Sequence, residues 1–121
     1  MPRQLLDEPH IHPAIRERVA NHHADTVRQV QDAVARDAVV VVGMQGNPFV
    51  RRARKALQAA GIEHTYLEYG SYISQWRVRN ALKLWCGWPT LPMVFVKGVL
   101  VGGADDLDAL LASGELRRML A

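Results

Sequence analysis

The stretch GWPTLPMVFVKGVLVGGADDL, residues 87–107, says more about the fold than any other part of the chain. It holds two short β-branched runs, Met93–Val96 and 99–101, separated by Lys97-Gly98, a pair typical of a tight turn. Two glycines end the second run, and leucines at helical spacing follow them. The stretch predicts an antiparallel hairpin and then a C-terminal helix.

The residues before this hairpin predict a strand–helix–strand–helix order. AVVVVG, residues 38–43, is continuous and β-branched, which is typical of a strand buried on both faces. PFVRRARKALQAAG, 48–61, predicts a helix with proline in its first turn and glycine at its end. IEHTYLEYG, 62–70, predicts the next strand, and SYISQWRVRNALKLW, 71–85, a second helix. The two strands are expected to be parallel neighbours, so the sheet is mixed and four-stranded.

The helix at 71–85 has an apolar stripe and a basic side. The residues spaced for one face, and therefore predicted to face the core, are Ile73, Trp76, Asn80, Ala81 and Leu84. The basic residues left for solvent or a ligand are Arg77, Arg79 and Lys83.

Residues 1–23 are predicted to form a helical extension to a domain that covers 24–121. The sequence from 12 to 37 has helical spacing, including Ile15 with Val19, and leaves open one helix or two, with Asp25 as the cap of a second. No metal site is expected, because adjacent histidines on a helix point in different directions and no ligand quartet is complete. The histidines concerned are His10, His12, His22 and His23.

Bulk properties narrow the class of protein. The chain has 121 residues, enough for one domain, and a net charge of +3 that forms no long basic run. No nucleic-acid motif is present, so no nucleic-acid partner is expected. No leader-like or membrane-spanning apolar segment is seen, so we expect a cytoplasmic protein without membrane contact. The single cysteine, Cys86, excludes an intramolecular disulfide.

Several linked motifs resemble the glutaredoxins, and the single-thiol branch most of all. W-P-T-x-P precedes the hairpin, K-G forms its turn and G-G-x-D follows it. The helix residues Val78, Arg79 and Leu82 echo the I-R-x-x-L of that branch. The resemblance runs from about residue 24 to 121. It implies an α/β thioredoxin-like three-layer sandwich, in which a four-stranded mixed sheet is flanked by helices.

The loop after the first strand departs from this family. Glutaredoxins carry C-P-Y-C or C-G-F-S there, whereas this chain has Asn47, Pro48, Phe49 and Val50. An asparagine supplies no thiolate, so neither thiol–disulfide exchange nor an iron–sulfur cluster is expected at this position. Asn47 is predicted to cap the following helix instead.

The resemblance also implies a retained groove for glutathione or an extended peptide. Pro92 matches the family's cis-proline, and Leu91 before it would offer its backbone to the ligand. Gly103, Ala104 and Asp105 match the segment that holds the γ-glutamyl end, and Arg79 matches the residue facing the glycine carboxylate. The full set of binding positions is Asn47, Phe49, Arg79, Leu91, Pro92, Gly103, Ala104 and Asp105. Each of these residues also has a purely structural explanation that is equally good when the residue is taken alone. Asp105 and Asp106 would cap the helix that follows, and Arg79 would lie on a solvated helix face.

Three functions follow from these features. The first is a redox-related binding or regulatory module that keeps the groove and lacks thiol chemistry. The second is a glutathione-dependent oxidoreductase or transferase that acts through Cys86 or through bound glutathione. Cys86 is a weak candidate, because a lone cysteine between tryptophans is most often a small core residue. The third is a structural module, homodimeric or with its groove filled by its own N-terminus.

Overall fold

A computed structural model describes residues 2–121 as six helices and four strands. The helices are α1 (Pro13–Asn21), α2 (Ala24–Arg36), α3 (Pro48–Ala59), α4 (Trp76–Cys86), α5 (Ala104–Ser113) and α6 (Glu115–Leu120). The strands are β1 (Val39–Gly43), β2 (Thr65–Glu68), β3 (Met93–Val96) and β4 (Val99–Gly102). No helix in the described part combines the length and the apolar character that a membrane crossing requires.

The strands form one mixed sheet in the order β2-β1-β3-β4. β1 pairs with β2 in parallel, and β3 pairs antiparallel with both β1 and β4. Lys97 and Gly98 make the hairpin turn with φ of 51° and 81°, the left-handed geometry of a tight two-residue connection. The predicted four-stranded mixed sheet, its parallel pair and its antiparallel hairpin are confirmed.

Helices cover the sheet on both faces, which makes three layers. On one face Val40 and Val42 of β1 belong to a core cluster with residues of α2 and α4. On the other face Val39 and Val41 belong to a second cluster with residues of α3, α5 and α6. All five residues of β1 are buried, as its unbroken apolar run predicts.

The structure corrects the prediction for the helix at 71–85. Helix α4 begins only at Trp76, because Gly70 and Gln75 have left-handed φ of 71° and 56° and keep the chain out of helical geometry. Its predicted inward face is wrong in all but one of the residues measured. Ile73 is 95% exposed, Trp76 56% and Leu84 73%, whereas Ala81 is buried as predicted. The other buried residues of α4 are Arg79 and Leu82.

The N-terminal residues form two helices rather than one. The chain turns between α1 and α2 at His23, which has a left-handed φ of 49°. Asp25 does not cap α2, because it lies in the first turn, and its carboxylate faces Arg28 at 3.7 Å. Ile15 and Val19 lie in α1, as their helical spacing predicts, and both are exposed. Met1 lies outside the described residues, and the division at residue 23 stays a prediction.

Gly43, the last residue of β1, is needed because α3 approaches it closely. A Cβ at this position would lie 2.6 Å from Cγ1 of Val50 and 2.9 Å from Cε1 of Tyr66. Both distances are too short for a real contact, so one of the neighbours would have to move.

We therefore expect Gly43→Ala to destabilise the protein by about 1–3 kcal/mol through overpacking. Urea unfolding followed by circular dichroism measures this cost. In the Gly43→Ala/Val50→Ala double variant, the smaller side chain makes room, so the total loss should fall about 1 kcal/mol short of the sum of the two single losses. Strict additivity would show that contact with Val50 is not what requires glycine here.

Candidate functional site

Asn47 is the cap of α3, as its sequence position predicts. Its Oδ1 accepts hydrogen bonds from the backbone N–H groups of Phe49 at 2.9 Å and Val50 at 3.1 Å. Its backbone is extended, with φ −88° and ψ 119°, as is usual for a capping residue. Two of the N–H groups that this helix start leaves without an intrahelical partner are thereby satisfied by one side chain, and Pro48 at the first helical position has no N–H to satisfy.

The loop before Asn47 is held by the chain that follows β2. Tyr69 N–H donates to the carbonyl of Gly43 at 2.9 Å, and Gln45 N–H donates to the carbonyl of Gly70 at 2.7 Å. These bonds continue the parallel pairing of β1 and β2 beyond the two strands. The position of Asn47 is therefore fixed from both sides, by the sheet before it and by α3 after it.

Arg79 supports the segment between β2 and α4, which holds the Asn47 loop, and is not on a solvated face. Only 7% of the residue is exposed. Its Nη1 donates to the backbone carbonyls of Tyr69 at 2.9 Å and Ser74 at 2.6 Å. The prediction that Arg79 is available to solvent is wrong, because the segment between β2 and α4 presents carbonyls that satisfy a buried guanidinium.

Leu91 and Pro92 lie at the start of β3, beside the end of β1. The peptide bond between them is cis. Leu91 is buried in the same apolar cluster as Val50 and Met44, so this loop packs against the loop and helix start that carry Asn47. Among residues 2–121, no backbone–backbone hydrogen bond outside the helices and strands uses the N–H or C=O of Leu91.

Gly103 lies against the Leu91–Pro92 loop. A Cβ on Gly103 would meet the carbonyl oxygen of Pro92 and Nε1 of Trp88, each at 3.6 Å. The N–H of Gly103 donates to Oδ2 of Asp106 at 3.0 Å, so Asp106 acts as the predicted helix cap. Within the described chain, Nε1 of Trp88 is buried and has no hydrogen-bond partner.

Asp105 faces α3 and not its own helix start. Its carboxylate forms an ion pair with the Arg52 guanidinium, whose Nε also lies 3.4 Å from Oδ2 of Asp108. The same guanidinium lies 5.6 Å from the ring centroid of Phe49, whose side chain is exposed. These charged groups are well exposed to solvent, so the pairing itself contributes little to stability. It does place Phe49 and Asp105 on one continuous surface.

Cys86 is a half-buried thiol at the end of α4. Its S–H donates to Sδ of Met93 at 3.6 Å, and its sulfur accepts from the N–H of Trp88 at 3.4 Å. Burial raises the pKa of the Cys86 thiol, and the hydrogen bond from Trp88 offsets only part of that effect. A raised pKa means less thiolate at neutral pH, which is the opposite of what a nucleophilic cysteine requires.

The N-terminal histidines have structural partners. Nδ1 of His12 accepts from the N–H of Ala14 at 3.0 Å and so caps α1. The rings of His22 and His23 contact each other edge to face, with centroids 4.7 Å apart. Across residues 2–121 no three His, Cys, Asp or Glu side chains are grouped as metal ligands would be.

The binding positions named from the sequence stay a prediction, and the structure shows which of them lie near one another. The structure brings one group of predicted residues together along one edge, namely Asn47, Phe49, Leu91, Pro92, Gly103, Ala104 and Asp105. Arg79 lies beneath the edge and not on it. Neither the pairing of Arg52 with Asp105 nor the approach of Trp88 to Gly103 has a local sequence signal, since each joins residues far apart in the chain.

Comparisons with known proteins agree with this geometry. The chain is 44% identical over 98 residues to a glutaredoxin-like protein of Dictyostelium discoideum, covering 81% of this chain and 80% of that protein. It is 32% identical over 83 residues to a probable monothiol glutaredoxin of Legionella pneumophila, covering 64% and 90%. A crystal structure of a buckwheat glutaredoxin–glutathione complex matches with a TM-score of 0.72 at 24% identity, covering 87% and 92%. No family model matches the chain.

The chain belongs to the glutaredoxin family. The predicted thioredoxin fold is confirmed by the solved glutaredoxin structures. Its single cysteine, Cys86, lies at the end of α4 and not in the loop after β1, which fits a replaced active-site cysteine.

Replacing Asn47 by alanine should lower the free energy of unfolding by about 1 kcal/mol, because two helix-start N–H groups lose their acceptor. Asn47→Asp and Asn47→Ser keep a capping oxygen and should lose much less. Urea unfolding compares the three variants, and Gln45→Ala, in the same loop, is the control. An alanine variant as stable as the parent would mean that the cap does not stabilise α3.

Alkylation by iodoacetamide tests the assignment of Cys86 as an inert core thiol. At pH 8 the native protein should react about tenfold or more slowly than the urea-unfolded chain, because burial raises the pKa and restricts access. The matched control is Asn47→Cys/Cys86→Ser, whose only thiol is at a helix start and should react faster than in its own unfolded chain. Native Cys86 reacting as fast as unfolded Cys86 would contradict the assignment.

Proposed function

We propose that this glutaredoxin-like protein is a non-catalytic binding or regulatory module, which holds glutathione or an extended peptide without transferring a thiol from residue 47. The observation that carries the proposal is the double hydrogen bond from Phe49 N–H and Val50 N–H to Asn47 Oδ1. These are the N–H groups that would stabilise a thiolate at this helix start. Here they are used to hold the helix.

The chemistry of the family does not fit residue 47. Thiol–disulfide exchange needs a thiolate that attacks one sulfur and displaces the other, and an amide does not do this. An iron–sulfur cluster held through this position would also need a thiolate ligand. Asn47 offers neither, and its oxygen is already engaged. The residues present therefore do not fit a cluster at this place.

The groove is the part of the family site that this chain has kept. A glutaredoxin of buckwheat forms a complex with glutathione. In the present chain the Leu91 backbone is not used by another backbone segment in the described residues. Backbone groups of this kind can pair with an extended ligand as an added strand does. Asp105, at the start of α5, supplies an exposed carboxylate for an ammonium group.

The burial of Arg79 limits how the carboxylate at the glycine end of glutathione can be bound. Its Nη1 is committed to two backbone carbonyls, and the residue is almost wholly buried. A carboxylate could reach only the remaining guanidinium nitrogens, and only if the surface above them opens. We therefore expect Asp105 and the Leu91 backbone to contribute more to affinity than Arg79.

The geometry favours the binding module over the enzyme alternatives. A reaction through Cys86 conflicts with the raised pKa of that thiol. Activation of bound glutathione at the start of α3 would need unoccupied N–H groups, and Asn47 occupies two of them. A specific observation in favour of either reaction is lacking in the described residues, so the module is the better-supported function.

The test is a titration of the ¹⁵N-labelled protein with reduced glutathione, followed by amide spectra. Saturable shifts are expected at Leu91, Asp105 and Asn47. Asp105→Asn should weaken binding by up to about fivefold, because the exposed charge pair with the ligand ammonium, which contributes about 0–1 kcal/mol, is lost. Asp32→Asn, an exposed change on α2, is the matched control. If no amide shifts appear up to millimolar glutathione, the proposal that this groove binds glutathione is wrong.

Turnover of a glutathione mixed disulfide separates binding from chemistry. We expect the parent protein to show no turnover above the uncatalysed rate, and Cys86→Ser to behave in the same way. Asn47→Cys should gain turnover, since it restores a thiolate at an intact helix start. If the parent protein shows turnover and Cys86→Ser loses it, the protein is an enzyme that acts through Cys86, and the binding-module proposal is wrong.

A further inference from the structure

A wide cleft separates the N-terminal segment from the thioredoxin-like domain. It has a volume of about 1070 Å³ and lies between residues 5–22, α2 and α4. Its apolar walls come from Leu5 and Leu6 on one side and Leu84 and Trp85 of α4 on the other, with Val19 of α1 between them. The groove described above uses none of these side chains.

The apolar walls of the cleft are open to solvent. Leu5 is 66% exposed, Leu6 72% and Leu84 73%, and Val19 is also exposed. Large aliphatic side chains that share one concave surface and are exposed to solvent mark a docking site more often than isolated exposed apolar residues do. The outward face of α4, which the sequence pattern predicts to be core, is part of this surface.

The charged side chains that line the cleft itself have one sign. Arg18 and Arg28 line it together with His10, His12 and His22, and none of its described lining residues is Asp or Glu. Arg28 has an acidic neighbour, Asp25, at 3.7 Å, but both side chains are mostly exposed and such a pair is weak. An occupant with acidic groups flanking an apolar stripe would therefore complement the cleft in both respects.

We propose that this cleft docks an acidic amphipathic helix of a partner protein. Leucine-type side chains at i, i+3/i+4 and i+7 would cover the walls formed by Leu5, Leu6, Val19 and Leu84. Carboxylates beside that stripe would face Arg18 and Arg28. The helix would lie on the side of α4 opposite Arg79, so it would not compete with a ligand in the glutathione groove.

Other occupants fit less well. A small amphiphile such as a fatty acid needs most of its surface enclosed, roughly 70–90% for a well-bound small ligand, and these walls are too open for that. A second copy that presented the same cleft would bring Arg18 and Arg28 against their own equivalents. The acidic helix of this chain, α5, cannot be the occupant of the cleft. Its apolar face, which includes Leu107, is already buried in the core.

The experiment uses the full chain and two fluorescein-labelled 18-residue peptides, read by fluorescence anisotropy. Both peptides carry leucine at i, i+3, i+4 and i+7, and the other positions are mainly glutamate in one and lysine in the other. The glutamate peptide should bind at micromolar concentration, and the lysine peptide about tenfold or more weakly. Arg18→Glu/Arg28→Glu should reverse this order.

Two variants locate the binding. Leu84→Glu places a carboxylate in the cleft wall and should weaken the glutamate peptide about tenfold. Ile73→Glu makes the same change at an exposed apolar residue outside the cleft and should leave binding unchanged. All three variants change exposed side chains, and circular dichroism verifies their folding.

Several results would overturn the proposal. Equal affinity for the two peptides, no binding of either, or equal effects of Leu84→Glu and Ile73→Glu would each exclude a specific acidic helix. A dimer detected by light scattering and abolished by Leu84→Glu would assign the cleft to a second copy. Displacement of the peptide by stoichiometric laurate would assign it to a small amphiphile.

Discussion

The burial of β1 on both of its faces is the constraint on which the site depends. Val40 and Val42 pack under one layer of helices, and Val39 and Val41 pack under the other, so a slip of one residue would exchange the two sets. The antiparallel register, in which Val42 lies opposite Met93, brings the end of β1 to the start of β3. The Asn47 loop and the Leu91–Pro92 loop therefore meet at one edge as a consequence of the core.

The Asn47 cap shows that α3 can begin at this position without a thiol. What the helix start requires for stability is an acceptor for its free N–H groups, and an amide oxygen meets that need as well as a thiolate does. What the reaction requires is a polarisable anion, which asparagine lacks. A substitution at this one position thus removes the nucleophile while the surrounding contacts, from Gly43 to Arg79, keep the loop in place.

The sequence was sufficient for the elements whose pattern is local. The buried run of β1, the hairpin turn at Lys97 and the cap at Asn47 each depend on neighbours within a few residues. The pattern is insufficient for α4, because a helix with two apolar stripes does not reveal which stripe meets the sheet. It predicts Trp76 in the core, and Trp76 is exposed. It predicts Arg79 on the solvent side, and Arg79 is buried. Its burial depends on carbonyls of Tyr69 and Ser74, whose positions follow from tertiary structure.

The ion pair between Arg52 and Asp105 bears on whether the groove is usable. A ligand ammonium that binds Asp105 must compete with the Arg52 guanidinium for the same carboxylate. The Asp105 side chain is largely in water, where such pairs contribute about 0–1 kcal/mol, so the cost of displacing Arg52 is small. Arg52 also keeps Asp108 as an alternative partner, with Oδ2 3.4 Å from its Nε. The guanidinium can therefore remain paired while Asp105 receives a ligand, and the pairing orders this edge without closing it.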